Sequence, residues 1–558
     1  MNYNSNEFNF SQNSNLSNNF YTQINPSQSP LIHNEGFFSN LSLNQNINKN
    51  SPTLFDINNN INSKIIFDPI HDYITFPSKL WEIIDTSEFQ RLRRLKQLST
   101  VCYIFNGGNH TRFEHCIGTG FLSQDLIERI FKKMNNNNNI KNTNNEIEYI
   151  INSVSIAGLC HDIAHGPFSH LFNTILNRLN LNCVFDHEIF SKNIIEYLID
   201  NNNIEEIDKE MINLISSLIT GVPITESNTK SSIIEDYSFI YQIVANKLNS
   251  IDVDKFDYIV RDIYHLGISN LSVDYKRVYN DINIIDNKIC FSEKNSFALE
   301  SIFLSREMLH KKVYKHNKHL CVDSMIRDAL FYTNEYFKLE ECINDVEKFL
   351  NLDDDIIQII RNFDDEECKE HHNYLKARNI IYDLYNRNIY KFVGEILFPI
   401  GVHFKPKIED FLSIENPKDE FYLTKDDIEL FVISIDMGYK DKNPFEKIYF
   451  YNPNFEDKCF KKLMNYNLNH KDVFREFYLK VICKNNKKFE RACEIFEKYK
   501  KKLLKFWNEN EINESNKKFN LNDLINEEEN QKTIKKDNEN NIYLNKKRNN
   551  NNINEFKM

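Results

Sequence analysis

Residues 160–170 read CHDIAHGPFSH, and their interpretation decides the architecture. His161, Asp162, His165 and His170 crowd this short segment of a 558-residue chain that holds only 16 histidines. The segment follows EIEYIINSVSIAGLC (146–160), a long apolar run that predicts a buried helix ending at the His-Asp doublet. Histidines so placed have three readings: a polar helix face, core imidazoles satisfied by backbone carbonyls, or ligands of a divalent cation with room left for water. A His-Asp dipeptide by itself does not separate them, so the rest of the chain must.

A cation site needs further ligands, and two other segments offer them. HTRFEHCIG (110–118) supplies His115. IDVDKFDYIVRDIYHLGI (251–268) places Asp254, Tyr258 and Asp262 four residues apart, on one helix face. Phe256, Ile259, Val260 and Ile263 take the other side and are expected to pack. Solvated acids are the ordinary meaning of such a face. The order of motifs outweighs it: a His, then His-Asp with His165 four residues on, then an Asp in a DxDKxDY setting. His165 is expected on the same helical side as His161 until Gly166-Pro167 breaks the helix. His170 opens the next segment. Six of the twelve glycines (Gly107, Gly108, Gly118, Gly120, Gly158, Gly166) fall between 107 and 166, which predicts closely shaped backbone around these histidines. In LSREMLHKKVYKH (304–316), Arg306, His310 and Tyr314 recur every four residues, and Lys315 adds a cation. Usually that is a solvated basic helix; beside a metal it is a cradle for phosphates.

Fifteen of the first fifty residues are Asn, too polar a stretch to offset ordering entropy, so residues 1–60 are expected to be disordered. The tail at 512–558 reads the same way, and 134–145 reads as an Asn-rich surface loop. Between them the pattern is mainly α. SEFQRLRRLKQL (87–98) spaces Phe89, Leu92, Leu95 and Leu98 by three and predicts a helix, with Asp85 and Glu88 as its capping box. Further helices are expected near 251–266 and 298–316. From about 390 shorter strand-like runs appear, FYLTKDDIELFVISIDMG and KIYFYNP, closed by a helix near 488–507. The expected organisation is a catalytic core over 61–390 and a C-terminal α+β regulatory lobe over 391–511.

The net charge of -12 argues against a globally basic surface that coats nucleic acid, while leaving room for local basic pockets. Eleven cysteines without a CxxC pair fit free thiols in a reducing compartment. No run of about 18 apolar residues predicts a membrane span, and MNYNSNEFNF lacks the regions of a signal peptide. The expectation is an intracellular protein, nuclear or cytoplasmic.

RFEHCIGTG, AGLCHDIAHGPFSH, NSIDVDKFDY and RDIYHLGI resemble the HD-domain phosphohydrolases. More narrowly, with SKIIFDPIHDYI, IIDTSEFQRLRRLKQL and GYKDKNP, they resemble the deoxynucleoside triphosphate triphosphohydrolases that join a sterile-alpha-motif domain to an HD domain. The resemblance spans about 64–500, and an Asn-rich segment stands where the sterile-alpha-motif domain would lie. It implies an HD helical core in which His115, His161, Asp162 and Asp254 hold a divalent metal (Zn, Fe or Mn), with Mg accompanying the nucleotide. His187, in FDHEIF, matches the family's catalytic histidine; which of His165, His170 and His187 protonates the departing oxygen stays open. Arg306, Tyr258 and Lys255 are implied on the phosphates, with Arg112 a further cation, and Gln97, Leu98, Asp262 and Tyr314 around the sugar. His310 and His316 complete the expected substrate contacts. Tyr314 against the sugar would leave no space for a 2′-hydroxyl.

The same resemblance implies a guanine-nucleotide activator pocket, for GTP or dGTP, at Lys64, Ile65, Asp85, Gln90 and Arg93. Ile104, Phe105, Arg277 and Lys294 match parts of an adjacent nucleotide site that bridges subunits of a homotetramer. The chain departs from the pattern at Phe67 and Ala298 (Asn in the family), Ser292 (Arg) and Asn317 (Lys), all outside the metal set. The implied activity is metal-dependent hydrolysis of dNTPs to deoxynucleoside and triphosphate, controlling the dNTP pool, with single-stranded nucleic acid as a further partner. The rivals are another HD-type phosphohydrolase or phosphodiesterase, and a non-catalytic nucleotide- or RNA-binding regulator, whose mark would be lost ligands.

Overall fold

The structure is a computed structural model. It describes residues 63–509 apart from 137–139, 141, 180–184, 224–235, 403, 416–418 and 462–472. The tails expected to be disordered, and part of the expected 134–145 loop, lie outside the described residues. Among the described residues the longer helices are α1 (Arg112–Asn136), α2 (Asn144–Cys160), α3 (His170–Arg178), α4 (His187–Asn201), α5 (Lys209–Thr220), α6 (Val253–Leu266), α7 (Ser296–Leu309), α8 (Asn317–Tyr332), α9 (His372–Tyr385) and α10 (Phe489–Glu509). The strands are β1 (Lys64–Asp68), β2 (Asp72–Phe76), β3 (Asn283–Ile285), β4 (Lys288–Ser292), β5 (Lys391–Leu397), β6 (Ile428–Asp436), β7 (Tyr449–Asn452), β8 (Phe455–Phe460) and β9 (Arg475–Cys483). The class is the one the sequence predicts: mainly α, with a smaller C-terminal α+β region.

The apolar run at 146–160 is α2, capped by Thr143 and Glu146 and buried along Ile150, Val154, Ala157 and Leu159. It lies against α1 so closely that a Cβ on Gly158 would stand 2.2 Å from Ser123 Oγ, and one on Gly120 2.5 Å from a Leu159 methyl. α6 approaches α1 from another side. There a Cβ on Gly118 would fall 1.9 Å from the Asp257 carboxylate. Half of the glycine cluster seen in the sequence, Gly118, Gly120 and Gly158, therefore serves close helix packing.

Two helices expected from sequence take different forms. Residues 87–98 are not one helix. A short α turn at Ser87–Gln90 tightens into a 3-10 turn at Arg91–Arg94, after which Leu95 is extended and Lys96 bridges Thr111. A 3-10 helix repeats every three residues, so the spacing of Phe89, Leu92 and Leu95, all fully buried, is met by this tighter winding. The cap is Thr86, whose hydroxyl accepts from the Phe89 amide at 3.3 Å. Asp85 instead ends the preceding helix and pairs with Lys64. The 298–316 segment is α7 followed by a π turn at His310–Tyr314.

The C-terminal strands build two sheets. In one, ordered β5-β9-β6, side chains alternate: Leu479, Val481 and Cys483 pack under α10 with Tyr499 and Leu503, while Ile482 faces Leu320 and Cys321 of α8 with Ile433 and Ile435. The sheet is thus held between α10 and α8. In the other, ordered β3-β4-β7-β8, β4 pairs in parallel with β7, so a hairpin from the expected core shares a sheet with strands of the expected lobe. The described cysteines are free thiols, and no helix of the described residues is long and apolar enough to cross a membrane.

Gly118→Ala should lower stability by about 1–3 kcal/mol, because overpacking drives its methyl into the buried Asp257 carboxylate. Thermal unfolding reads this, and an unchanged Tm would rule out the close approach of α6 to α1.

Candidate active site

Three helix ends meet at one point. His115 lies in the first turn of α1, three residues after Arg112; His161 caps the C-terminus of α2; Asp254 lies in the first turn of α6, behind the cap Asp252. His115 Nε2 is 3.1 Å from His161 Nε2 and 3.1 Å from Asp254 Oδ1. Asp162 Oδ2 lies 3.6 Å from His115 Nε2 and 3.5 Å from His161 Nε2. Four ligand atoms from three distant parts of the sequence therefore converge.

The chemistry of this set fits a divalent cation. His115 Nδ1 donates to Asp257 Oδ1 at 2.7 Å, and His161 Nδ1 to the Gly158 carbonyl at 2.8 Å. Those bonds fix the proton on Nδ1 and turn both Nε2 lone pairs inward. Two acceptors 3.1 Å apart have no proton between them, and a cation resolves the conflict. The field points the same way. Burial opposes charge on His115, but hydrogen bonds to Asp254 and Asp257 push its pKa up to about 10. Burial likewise opposes ionisation of Asp162, yet Arg112, His161 and His165 hold it well below the usual carboxylate range. The place is built to hold positive charge.

Asp257, which the sequence reading did not single out, is the keystone behind His115. Its oxygens also take Arg261 Nε and Nη2, each at 2.8 Å, and His71 Nε2 at 2.7 Å. Arg261 continues to Asp68 at 2.8 Å, and Tyr275 donates to His71 Nδ1 at 2.9 Å. Every member is buried and paired, the condition under which a buried polar network is rigid. Its signal was present: Asp257 is three residues after Asp254 and four before Arg261 on one helix.

A row of neutral histidines borders the cluster. α2 stops at Cys160, so His165 is not on a helix with His161; a tight turn brings its Nε2 to 3.1 Å from Asp162 Oδ1. His165 stacks on His187 with ring centroids 4.1 Å apart, and meets His170 at 5.2 Å. His187, whose ordinary reading was a surface residue, lines the same cavity. Burial, with Arg112 and His187 nearby, holds His165 well below its usual pKa and His170 down to about 3.

The cavity over these groups measures about 810 Å³. Gln97, Leu98, Arg112, Lys255, Tyr258, Asp262, Arg306, His310 and Tyr314, all expected on the substrate, line it. Arg306 is held by the Asp436 carbonyl at 2.8 Å, and its Nε has no partner among the described residues. Tyr314 donates to one oxygen of Asp262, and His110 bonds the other at 2.7 Å. Lys315 and, from α8 and β6, Asp323, Arg327 and Ser434 extend the wall. His316 is elsewhere: it caps α8 and packs on Phe105 with centroids 5.5 Å apart.

The residues expected to bind regulatory nucleotides fall outside this cavity. Lys64 pairs with Asp85 at 2.7 Å, Gln90 donates to the Ile84 carbonyl and accepts from Arg93, and Ile65 is exposed. Ile104 and Phe105 follow a 3-10 turn at Ser99–Tyr103, while Arg277 and Lys294 flank Asn295, which donates to the Arg277 carbonyl.

The HD domain matches residues 112–261 and the HD associated region residues 273–398. The deoxynucleoside triphosphate triphosphohydrolase SAMHD1 homolog of Dictyostelium discoideum is 34% identical over 81% of this chain and 83% of its own length. The human SAMHD1 enzyme is 35% identical over 75% and 70%, and the Bos taurus enzyme 36% over 70% and 69%. With its ligand cluster, cavity and both matched regions in place, the chain belongs to the SAMHD1 family of HD-domain deoxynucleoside triphosphate triphosphohydrolases.

Proposed function

We propose that this chain hydrolyses deoxynucleoside triphosphates to deoxynucleoside and triphosphate, that a guanine nucleotide activates it, and that it serves to control the dNTP pool. The observation that carries the reading is the convergence of His115, His161, Asp162 and Asp254 at the floor of a cavity whose walls hold Arg306, Lys255 and Tyr258. Those four residues would hold the divalent cation, Zn, Fe or Mn. When bound, such an ion polarises a phosphate oxygen and lowers the pKa of water.

The chain's own residues supply the rest. Arg306, Lys255 and Tyr258 bind the triphosphate, and Arg112, locked on Asp162, adds positive charge beside the cluster. Water attacks the α-phosphorus, the bond from phosphorus to the 5′-oxygen breaks, and that oxygen takes a proton. His165, His170 and His187 surround the place where the proton is needed. All three are held neutral by burial, so the negative charge of an arriving triphosphate is what raises their affinity for a proton. Tyr314, fixed by Asp262, stands where a sugar would lie and crowds its 2′ position.

The activator pocket is assigned to Lys64, Ile65, Asp85, Gln90 and Arg93, and the second nucleotide site to Ile104, Phe105, Arg277 and Lys294 across a tetramer. Departures in the chain bear on these sites. Phe67 is exposed and packs edge-on against Tyr73 at 5.4 Å. At Asn317 the amide oxygen accepts from Lys480 Nζ of β9 at 2.6 Å.

Product analysis tests the reading. Metal-loaded protein incubated with dGTP alone should release triphosphate, and dATP should be cleaved faster when GTP is added. Monophosphate with pyrophosphate would place the cut at another bond, and equal dATP rates would remove the activator. Asp162→Asn should reduce bound metal per chain and lower turnover by at least about 100-fold with the fold retained; full metal content in the variant would refute the ligand set. Tyr314→Ala should narrow the preference for dGTP over GTP as substrate by about tenfold or more, measured as kcat/KM. An unaltered ratio would mean that Tyr314 does not face the sugar.

A further inference from the structure

One carboxylate outside the HD match is bonded into two walls of the cavity. Asp354 lies in the loop before Ile356–Arg361, within the stretch matched by the HD associated region. Its Oδ2 accepts from the Lys96 amide at 2.7 Å and its Oδ1 from the Phe168 amide at 2.6 Å. The two amides belong to segments far apart in the chain, and each leads directly into the cavity. Lys96 precedes Gln97 and Leu98; Phe168 precedes Ser169 and His170.

Both segments depart from regular helix or strand and are held by turn bonds. Phe168 and Ser169 both sit at positive φ, 58° and 57°, where side chains other than glycine are disfavoured. Residues 95–98 have left the 3-10 turn, and apart from local turn bonds their backbone is tied to the chain at 110–112 through the Lys96–Thr111 bridge. A second link joins the two: Ser169 Oγ donates to the Lys96 carbonyl at 2.9 Å and accepts from Arg112 Nε at 2.8 Å. Arg112 in turn pairs with Asp162. Behind the loop, Arg91 donates to the Leu352 and His165 carbonyls, each at 2.9 Å, and Arg94 pairs with Asp353 at 2.9 Å. The loop, the Gln97 wall and the His170 corner form one bonded ring that reaches the cluster through Arg112.

We propose that Asp354 is a positioning residue for hydrolysis: through it the HD associated region holds the Gln97–Leu98 wall and the Phe168–His170 corner in register with the metal-ligating cluster. This rests on the dNTP reading above. The energetics agree with a positional role. Burial pushes Asp354 up to about 6, against the pull of the Lys96 and Phe168 amides. A carboxylate whose folded pKa is raised loses stability as pH climbs from its unfolded value through that point.

The test compares Asp354→Asn and Asp354→Ala in the full, metal-loaded chain by three measurements: dGTP turnover, bound metal per chain, and hydrogen exchange over 95–99, 166–172 and 112–120. Asn keeps the shape but offers one acceptor, with its amide group opposing the other N–H, so it carries the test if the Ala variant fails to fold. The expected result is faster exchange at 95–99 and 166–172 with 112–120 unchanged, full metal content, and kcat lower by about tenfold or more. Faster exchange with kcat and KM both within about twofold of wild type would overturn the positioning role, and unchanged exchange would remove the clamp. If the wild-type chain releases no triphosphate, the hydrolytic reading fails by itself, while the exchange measurement still decides whether Asp354 holds the two segments.

Discussion

The contact on which the site depends is the one between Asp257 and His115. A fully buried carboxylate is tolerated only when its lone pairs are filled, and Asp257 fills them with two nitrogens of Arg261, the His71 ring and the His115 ring. That bond settles which nitrogen of His115 carries the proton, and therefore which one is free to face His161, Asp162 and Asp254. Gly118 leaves the room this carboxylate needs. Helix packing and ligand geometry are in this sense one constraint.

Electrostatics then divides the cavity into two regions. Around the four ligand atoms, Asp254 and Asp257 favour positive charge strongly enough to raise His115, while Arg112, Arg261 and the neighbouring histidines keep the carboxyls ionised. A few ångströms away burial is the largest influence on His165, His170 and His187, Arg112 acts in the same direction, and all three stay neutral. Asp162 joins the regions, with one oxygen toward each. The imidazoles whose Nε2 atoms face the ligand cluster are thus kept apart from those that burial leaves free to exchange a proton.

The C-terminal region is part of this arrangement. α8 and β6 bring Asp323, Arg327 and Ser434 to the cavity wall, and Asp436 holds Arg306. The charged seam between them, Arg327 with Glu429 and Lys484 with Asp328 at 3.0 Å, fastens helix to sheet at the same place. The cavity wall is therefore spread over elements that the sequence presents more than three hundred residues apart.

The sequence by itself determined the chemical inventory and much of the local form. The apolar run before the His-Asp doublet had to be a buried helix, the i, i+4, i+8 spacing had to put Asp254, Tyr258 and Asp262 on one face, and the alternating runs after 390 had to form strands. Each follows from a period within a single element. Only tertiary structure decided the rest. Residues 87–98 left the helix because Arg91 and Lys96 found partners at His165, Leu352 and Asp354 that no local pattern encodes. Asp257 and Asp354 read in the sequence as ordinary acids, one on a helix and one in a loop. Their roles come from donors on other elements, and hydrogen bonds between residues so far apart leave no periodic trace in the chain that carries them.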